Sequence, residues 1–452
     1  MFQITPLASL LATAGWFVGA PSPTPPAWTI QETVLAELPA DVDLKSVTVS
    51  PDVRRVAYVQ TTATQSTVFV DGTAQSSHPG IATGSLRFSP DGKRLAFVAS
   101  TGQPPLRASS FAMQTRRGHR YHMAPSENPA ANSVMVVVDG VASRAYAGID
   151  DNSMTFSPDG RRFGYVAMRD NVWRAVVDGI EEEASYDDVA PYMVGPTLHF
   201  SPDGNRLAYV ALRKETDSSP LGYRFKWFVV ADRQKGKEYN RIGEGPFQAD
   251  TVAFDTEGKR LAYVARKGDG HSAPAVPIID GVEGAAMTGI LQIDFLAGGG
   301  KIGMLTFRGR PKPYEIAKMR VEIDGAGGGE QAQLEAPFVA SPDGTRVAVV
   351  APLAKRGSET FKSKVIVDAQ EGATYRSIAS PVAFSPDSRH FAYRAVLASG
   401  KESVLVVDGV EGPTFPVSPE GMPLCFVSNR RIHWATLQGR RVVRIEVELP
   451  QP

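Results

Sequence analysis

Cysteine is nearly absent: Cys425 is the single one in 452 residues. That excludes a disulfide framework and a Cys-rich zinc site, and its apolar setting in PLCFVS reads as core. An excess of one charge is missing too. The 48 basic and 48 acidic residues cancel, so no global field draws the chain toward an anionic membrane, and no specific nucleic-acid partner is expected. No run approaches the roughly 20 apolar residues of a transmembrane helix, so no transmembrane segment is expected. Catalytic signatures are lacking as well. There is no G-x-S-x-G elbow, H-E-x-x-H helix, P-loop or dinucleotide glycine pattern, and the GAGGGE near Gly325 follows a strand without opening a helix. The seven histidines are scattered; no catalytic residue, metal site or cofactor is expected.

What is present is one phrase, repeated. FSPDGKRLAFVA starts at Phe88 and returns as FSPDGRRFGYVA from Phe156, FSPDGNRLAYVA from Phe200, FDTEGKRLAYVA from Phe254, ASPDGTRVAVVA from Ala340 and FSPDSRHFAYRA from Phe384. Anchored on its third polar residue, the repeat runs Asp52, Asp91, Asp159, Asp203, Glu257, Gly298, Asp343, Asp387 and Asn429, with intervals of 39, 68, 44, 54, 41, 45, 44 and 42 residues. A period of about 42 without helical spacing is the length of a propeller blade. Within the unit, Ser-Pro-Asp-Gly is a turn in which proline presets φ, aspartate bonds the local backbone and glycine takes positive φ. Asp52, Asp91, Asp159, Asp203, Asp343 and Asp387 are therefore assigned structural turn roles.

A second phrase, VVDG at Gly140 with relatives at Gly72, Gly179, Gly281, Gly325 and Gly409, is a strand entering a primed hairpin turn. Each unit then supplies four strands. These patterns predict an all-β chain: a single closed β-propeller of eight or nine four-stranded blades over residues 31–450, with the strand-like Glu32 to Leu38 closing the ring against the last repeat, VVRIEVEL. Two smaller rings split near residue 240 are the alternative. Residues 1–30 hold a mostly apolar run, Pro6 to Ala20, followed by PSPTPP. They are expected to be a signal peptide or a disordered Pro-rich N-terminus, which points to a periplasmic or secreted protein, or otherwise a cytoplasmic one.

The phrases resemble those of the TolB-like, WD-like (SPDG repeat) propeller family, and similar blades occur in the propellers of prolyl oligopeptidase-type peptidases. The resemblance spans about residues 45 to 448 and implies the fold. The family pattern of TolB has a separate α/β domain before a six-bladed ring, whereas about 40 residues precede the repeats here. The glycine-histidine and Trp-Asp marks of WD repeats are missing. A peptidase would further need a Ser, Asp and His triad on a hydrolase domain.

Length variation is confined to one connection, between the second and third strands of each unit, and all copies of it belong on one face of the ring. Together these connections carry a net charge of +17, while the Asp-Gly turns of the other face are acid-rich. The longest holds RRGHRYH, and a second holds FRGRPK. Arg116, Arg117, His119, Arg120, Tyr121, His122, Arg308, Arg310 and Lys312 are the candidate partner-binding residues, since guanidinium groups among Tyr and His suit carboxylate, phosphate or sulfate. The expectation is a non-catalytic binding or scaffold propeller that holds a protein partner or an anionic glycan. The alternative is a glycan-active or other hydrolase or lyase whose site is assembled from several blades.

Overall fold

Strands such as Phe163–Arg169 are apolar on both faces, and only a position sandwiched between two other sheets buries both. A ring of radially stacked sheets provides that position for every blade. The computed structural model describes residues 28–82, 84–102, 113–116, 119–122, 134–170, 172–182, 188–189, 198–216, 222–243, 252–268, 273–296, 300–308, 318–327, 335–353, 362–417 and 424–449. These form a β-propeller of nine four-stranded blades. Blades 1 to 8 span 48–78, 80–142, 148–181, 188–235, 241–283, 289–327, 335–375 and 377–416. Blade 9 is built from 424–448 and Thr29–Glu37. The units anchored at Gly298 and Asn429, the least regular in sequence, are full blades, and the alternative of two smaller rings is not what forms. Among the described residues the helical content is one 3-10 turn, Leu44–Ser46.

Within a blade the four strands, a to d, run as an antiparallel meander. The a strands of successive blades approach one another, which places them at the inner edge. Strand a ends in the Ser-Pro-Asp-Gly turn and strand c in the Asp-Gly turn, so both turns lie on one face; the b–c connections and the blade-to-blade links lie on the other. The ring closes as expected. Thr29–Glu37 is the outermost strand of blade 9, antiparallel to Arg441–Glu448, with Ile30 opposite Val447 and Val34 opposite Val443.

The core is divided among the interfaces between blades. Leu207 is 7% exposed between blades 3 and 4, packed with Val166, Val177, Leu198 and Tyr209. Leu207→Ala removes a side chain that neither sheet can move in to replace, and a loss of about 2–5 kcal/mol is expected. A urea unfolding curve superimposable on the wild type would contradict this packing.

Candidate functional site

The two faces of the ring differ in how their polar groups are used. On the turn face the aspartates of the Asp-Gly turns and the arginines that open strand b are bound within the ring. The Asp-Gly turns are of the primed type, with φ near 50° at aspartate and 80° at glycine, as in Asp139 (52°) and Gly140 (82°). That backbone aims the Asp139 carboxylate at the start of strand b, where one oxygen accepts from the Leu95 N–H (3.0 Å) and the other from Arg94 Nε (2.7 Å). Arg94 Nη1 then donates to the carbonyls of Gly160 (3.1 Å) and Arg161 (2.7 Å) in the next blade, and its guanidinium lies 5.3 Å from the centre of the Phe156 ring. Arg55, Arg162, Arg206 and Arg346 repeat this clamp, and Arg260 repeats its own-blade half and the stacking over Phe295.

The aspartates of Ser-Pro-Asp-Gly sit beside these clamps. Ser89 Oγ donates to Asp91 (2.6 Å) and holds its carboxyl down near 2, and the serine preceding Asp159, Asp203 and Asp387 lowers each of them likewise. Asp343 is lowered by Ser341, and Asp52 accepts from Ser50 at 2.5 Å. All are turn-stabilising carboxylates. Glycine follows four of the six, while Val53 and Ser388 take the same positive φ (52° and 62°) after Asp52 and Asp387. A Cβ on Gly204, whose φ is +72°, would stand 2.8 Å from Asp159 of the preceding blade.

The repeated arginine escaped the sequence reading, which took the Asp-Gly pair for a turn and nothing more. Its signal was an arginine two residues after the Ser-Pro-Asp-Gly glycine in repeat after repeat. A second missed device is a serine facing strand b where the a–b ladder is interrupted or not yet begun. Ser46 in the 3-10 turn before strand a, Ser85 between its two segments in blade 2 and Ser153 within it in blade 3 accept from the strand-b N–H of Val59, Val98 and Val166.

On the opposite face the insertions project. Arg116 pairs with His119, Thr115 with Arg120, Gln114 with Tyr121 and Met113 with His122 in a two-stranded hairpin. Arg308 closes the strand Ile302–Arg308, paired with Lys318. Arg117, Arg310 and Lys312 lie outside the described residues. The net charge counted on these connections overstates what faces solvent. Arg394, counted among them, is 2% exposed in strand b of blade 8, stacked 5.6 Å from the Trp434 ring and lowered to about 10 by burial. Arg169 pairs with Glu181 at 2.8 Å, Arg213 with Glu238 at 3.1 Å, Arg224 with Glu215 at 2.9 Å and Lys364 with Glu371 at 2.6 Å. Glutamates beyond the turn after strand c, Glu181, Glu238 and Glu371, thus pair with basic side chains on strands b and c, and the acidic and basic groups are less segregated than expected.

Two features line the centre. Toward the turn face, a cavity of about 340 Å³ is bounded by Thr155, His199, Phe200, Pro202, Ala253 and Asp294 of blades 3 to 6. Toward the insertion face, the inner strand of blade 3, Gly148–Phe156, breaks register after Asp150 and carries the adjacent carboxylates Asp150 and Asp151, the first of them 9% exposed. Burial lifts Asp150 to about 6 and also raises Asp151, against the attraction of Arg87 in blade 2. Cys425, expected in the core, is half-buried on strand a of blade 9, its thiol pushed up to about 11 by burial. No helix among the described residues is long and apolar enough to cross a membrane.

The sequence matches no protein-family model and no curated protein. Among solved structures, the chain is similar to a eukaryotic initiation factor, with 14% identity over 85% of this chain and 90% of that one and a TM-score of 0.48. It is also similar to dipeptidyl peptidase 4 of Porphyromonas gingivalis, with 11% identity, 87% and 64% coverage and a TM-score of 0.43. TolB of Acinetobacter baumannii matches with 12% identity, 72% and 63% coverage and a TM-score of 0.27. Likenesses this distant say nothing of what the chain binds or does.

Proposed function

We propose that this propeller is a non-catalytic binding or scaffold protein, extracytoplasmic in location, that receives an anionic glycan or an acidic protein partner on its insertion face. One observation carries the reading: on the turn face the Asp-Gly aspartates and the arginines opening strand b are committed to clamps, whereas the added structure falls on the other face, where strands 113–116 and 119–122 pair as an extra hairpin and the b–c hairpin of blade 4 is extended. Repeat proteins commonly bind through the face that accepts insertions. The candidate residues Arg116, Arg117, His119, Arg120, Tyr121 and His122 are in or beside the first of these hairpins, and Arg308, Arg310 and Lys312 belong to the corresponding connection of blade 6. The test is chromatography of the full chain on heparin and on immobilised polygalacturonate, against a variant with residues 113–122 replaced by a Gly-Ser linker. The wild type should be retained, elute earlier as salt rises, and be held more tightly than the variant. Salt-independent retention, or identical elution of the two proteins, overturns the reading.

A second reading, a glycan-active hydrolase or lyase, is favoured by the adjacent raised carboxylates of Asp150 and Asp151 on the inner strand of blade 3, because perturbed acids cluster at reactive sites. It requires new reducing ends or unsaturated products from acidic polysaccharides, abolished by Asp150→Asn. Undiminished cleavage by that variant removes Asp150 from such a mechanism.

A further inference from the structure

One strand-b position near the inner edge is filled alike in blades 1 to 8. It carries alanine or glycine, as in Ala57 opposite Thr48, Gly164 opposite Thr155 and Ala208 opposite His199. Blade 9 departs from this and sets His433 opposite Cys425. Residues directly opposite each other share a face of the sheet, with Cβ atoms about 4.5–5.5 Å apart. That face is turned to blade 1, since Ala435, two residues along strand b, packs with Val53 and Val56. The Cys425 side chain is half-buried, and its thiol makes only long contacts, 3.7 Å to the Pro51 carbonyl of blade 1 and 4.0 Å to the His433 carbonyl. His433 is 4% exposed, and its Nε2 is buried with no hydrogen-bond partner among the described residues. A ring nitrogen left buried and unpaired costs stability, and alanine, which fits the other blades, would avoid that cost. A ligand held by Nε2 accounts for an imidazole in this place.

We propose that Cys425 and His433 together bind one soft monovalent cation, Cu(I), between the thiolate sulfur and Nε2. Thiolate and imidazole are donors that copper takes, and a d10 monovalent ion is satisfied by two of them in line. Zn(II) asks for four donors, and no group of three His, Cys, Asp or Glu side chains converges among the described residues. Charge favours the same ion. The thiol proton leaves to solvent and the cation takes its place, while the imidazole keeps its proton on Nδ1. A neutral pair becomes a neutral complex, so no net charge is buried. The charged groups around the pair also balance, Asp52 and Glu446 against Arg54 and Arg444. A nucleophilic role fits poorly, because burial and Asp52 keep the thiol protonated, and the thiolate is the reactive form.

The test is anaerobic titration of the full, reduced chain with Cu(I) in competition with the chelator bicinchoninate. Cys425 is the single cysteine, so no other thiol competes. The wild type should withdraw one Cu(I) per chain, and X-ray absorption should show two-coordinate copper with one sulfur and one nitrogen. Bound Cu(I) should also raise the urea midpoint. His433→Ala gives blade 9 the side chain that most other blades carry, so the fold should survive, and the affinity should fall about tenfold or more. Cys425→Ser should abolish binding. Equal affinity in His433→Ala would mean an adventitious thiol adduct only, and overturns the inference. So does binding retained by Cys425→Ser, failure of the wild type to compete with the chelator, or copper with three or more ligands. The absorption spectrum of the wild type decides the ligands even where a variant fails to fold.

Discussion

Replacing Asp150 by asparagine is expected to stabilise the propeller by about 3 kcal/mol near neutral pH, and the gain should be largely gone near pH 4. The cause is burial. Asp150 is 9% exposed on the inner strand of blade 3, and desolvation lifts it from 3.8 to about 6 in spite of the Asn152 N–H that one oxygen accepts at 3.2 Å. A carboxyl raised in the folded state favours folding while it stays protonated. That contribution is fully present below 3.8 and is lost as pH rises through about 6. At neutral pH the wild type therefore carries a buried charge that the unfolded chain would hold in water, and asparagine has none to carry. Its amide oxygen keeps the bond from Asn152. Urea unfolding of both proteins near pH 4 and near pH 7.5 measures the difference directly. A variant less stable than the wild type at the higher pH, or an advantage equal at both, would show that the charged carboxylate is compensated in the fold. The expected gain also bears on function, since a residue that costs stability and is nonetheless present suits a site whose role is recognition or proton transfer.

How far the fold was legible depended on the range of each interaction. Ser-Pro-Asp-Gly and Asp-Gly turns are decided within a few residues, so their positions, their positive φ at Gly92 or Gly140 and the blade period could be read directly. The closing strand was legible because the last repeat ends one strand short and an alternating segment stands at the other end of the chain. The clamps were not. Arg55 reaches carbonyls 37 and 38 residues away, and Arg94 reaches 66 and 67 residues away, in blades whose neighbourhood exists only once the ring has formed. Arg394 was misplaced for a different reason. In blade 8 it occupies the strand-b position held by Val98 in blade 2 and Val166 in blade 3, so a tally of charge by connection put a core side chain on the surface. Asp150 was legible as an acid and not as a buried one, because the register shift that turns it inward is a property of the a–b ladder. Of the candidate site, the 113–122 hairpin was visible as an inserted basic segment, while the pairing of Arg213 with Glu238 and of Arg224 with Glu215 depends on side chains that meet only across the folded strands of blade 4.

Deleting residues 1–38 should have the largest effect on stability of any change considered, a loss of about 5 kcal/mol or more. Thr29–Glu37 contributes few buried side chains, so the hydrophobic part of the loss is modest. The ladder is the larger part. The strand pairs with Arg441–Glu448 from Thr29 opposite Glu448 to Glu37 opposite Arg441, and each backbone hydrogen bond lost contributes about 1 kcal/mol. The deletion also strips the Arg440 carbonyl of the Leu38 N–H that bonds it at 2.8 Å, and removes Leu38 from the cluster in which Val53, Tyr58, Ala435 and Val442 join blades 1 and 9. That interface joins the first blade to the last, and weakening it leaves a ring able to open at one seam, with Val443 and Val447 on a newly exposed edge strand. The truncated chain should unfold at markedly lower urea and show a larger radius by small-angle scattering. A synthetic peptide of residues 28–38 added in trans should restore both, because the acceptor strand survives in the truncated chain. An unchanged midpoint in the truncated protein would mean that eight blades close without the ninth being completed, and failure of the peptide to rescue a destabilised chain would mean that the strand's contribution lies in folding and not in the finished ladder.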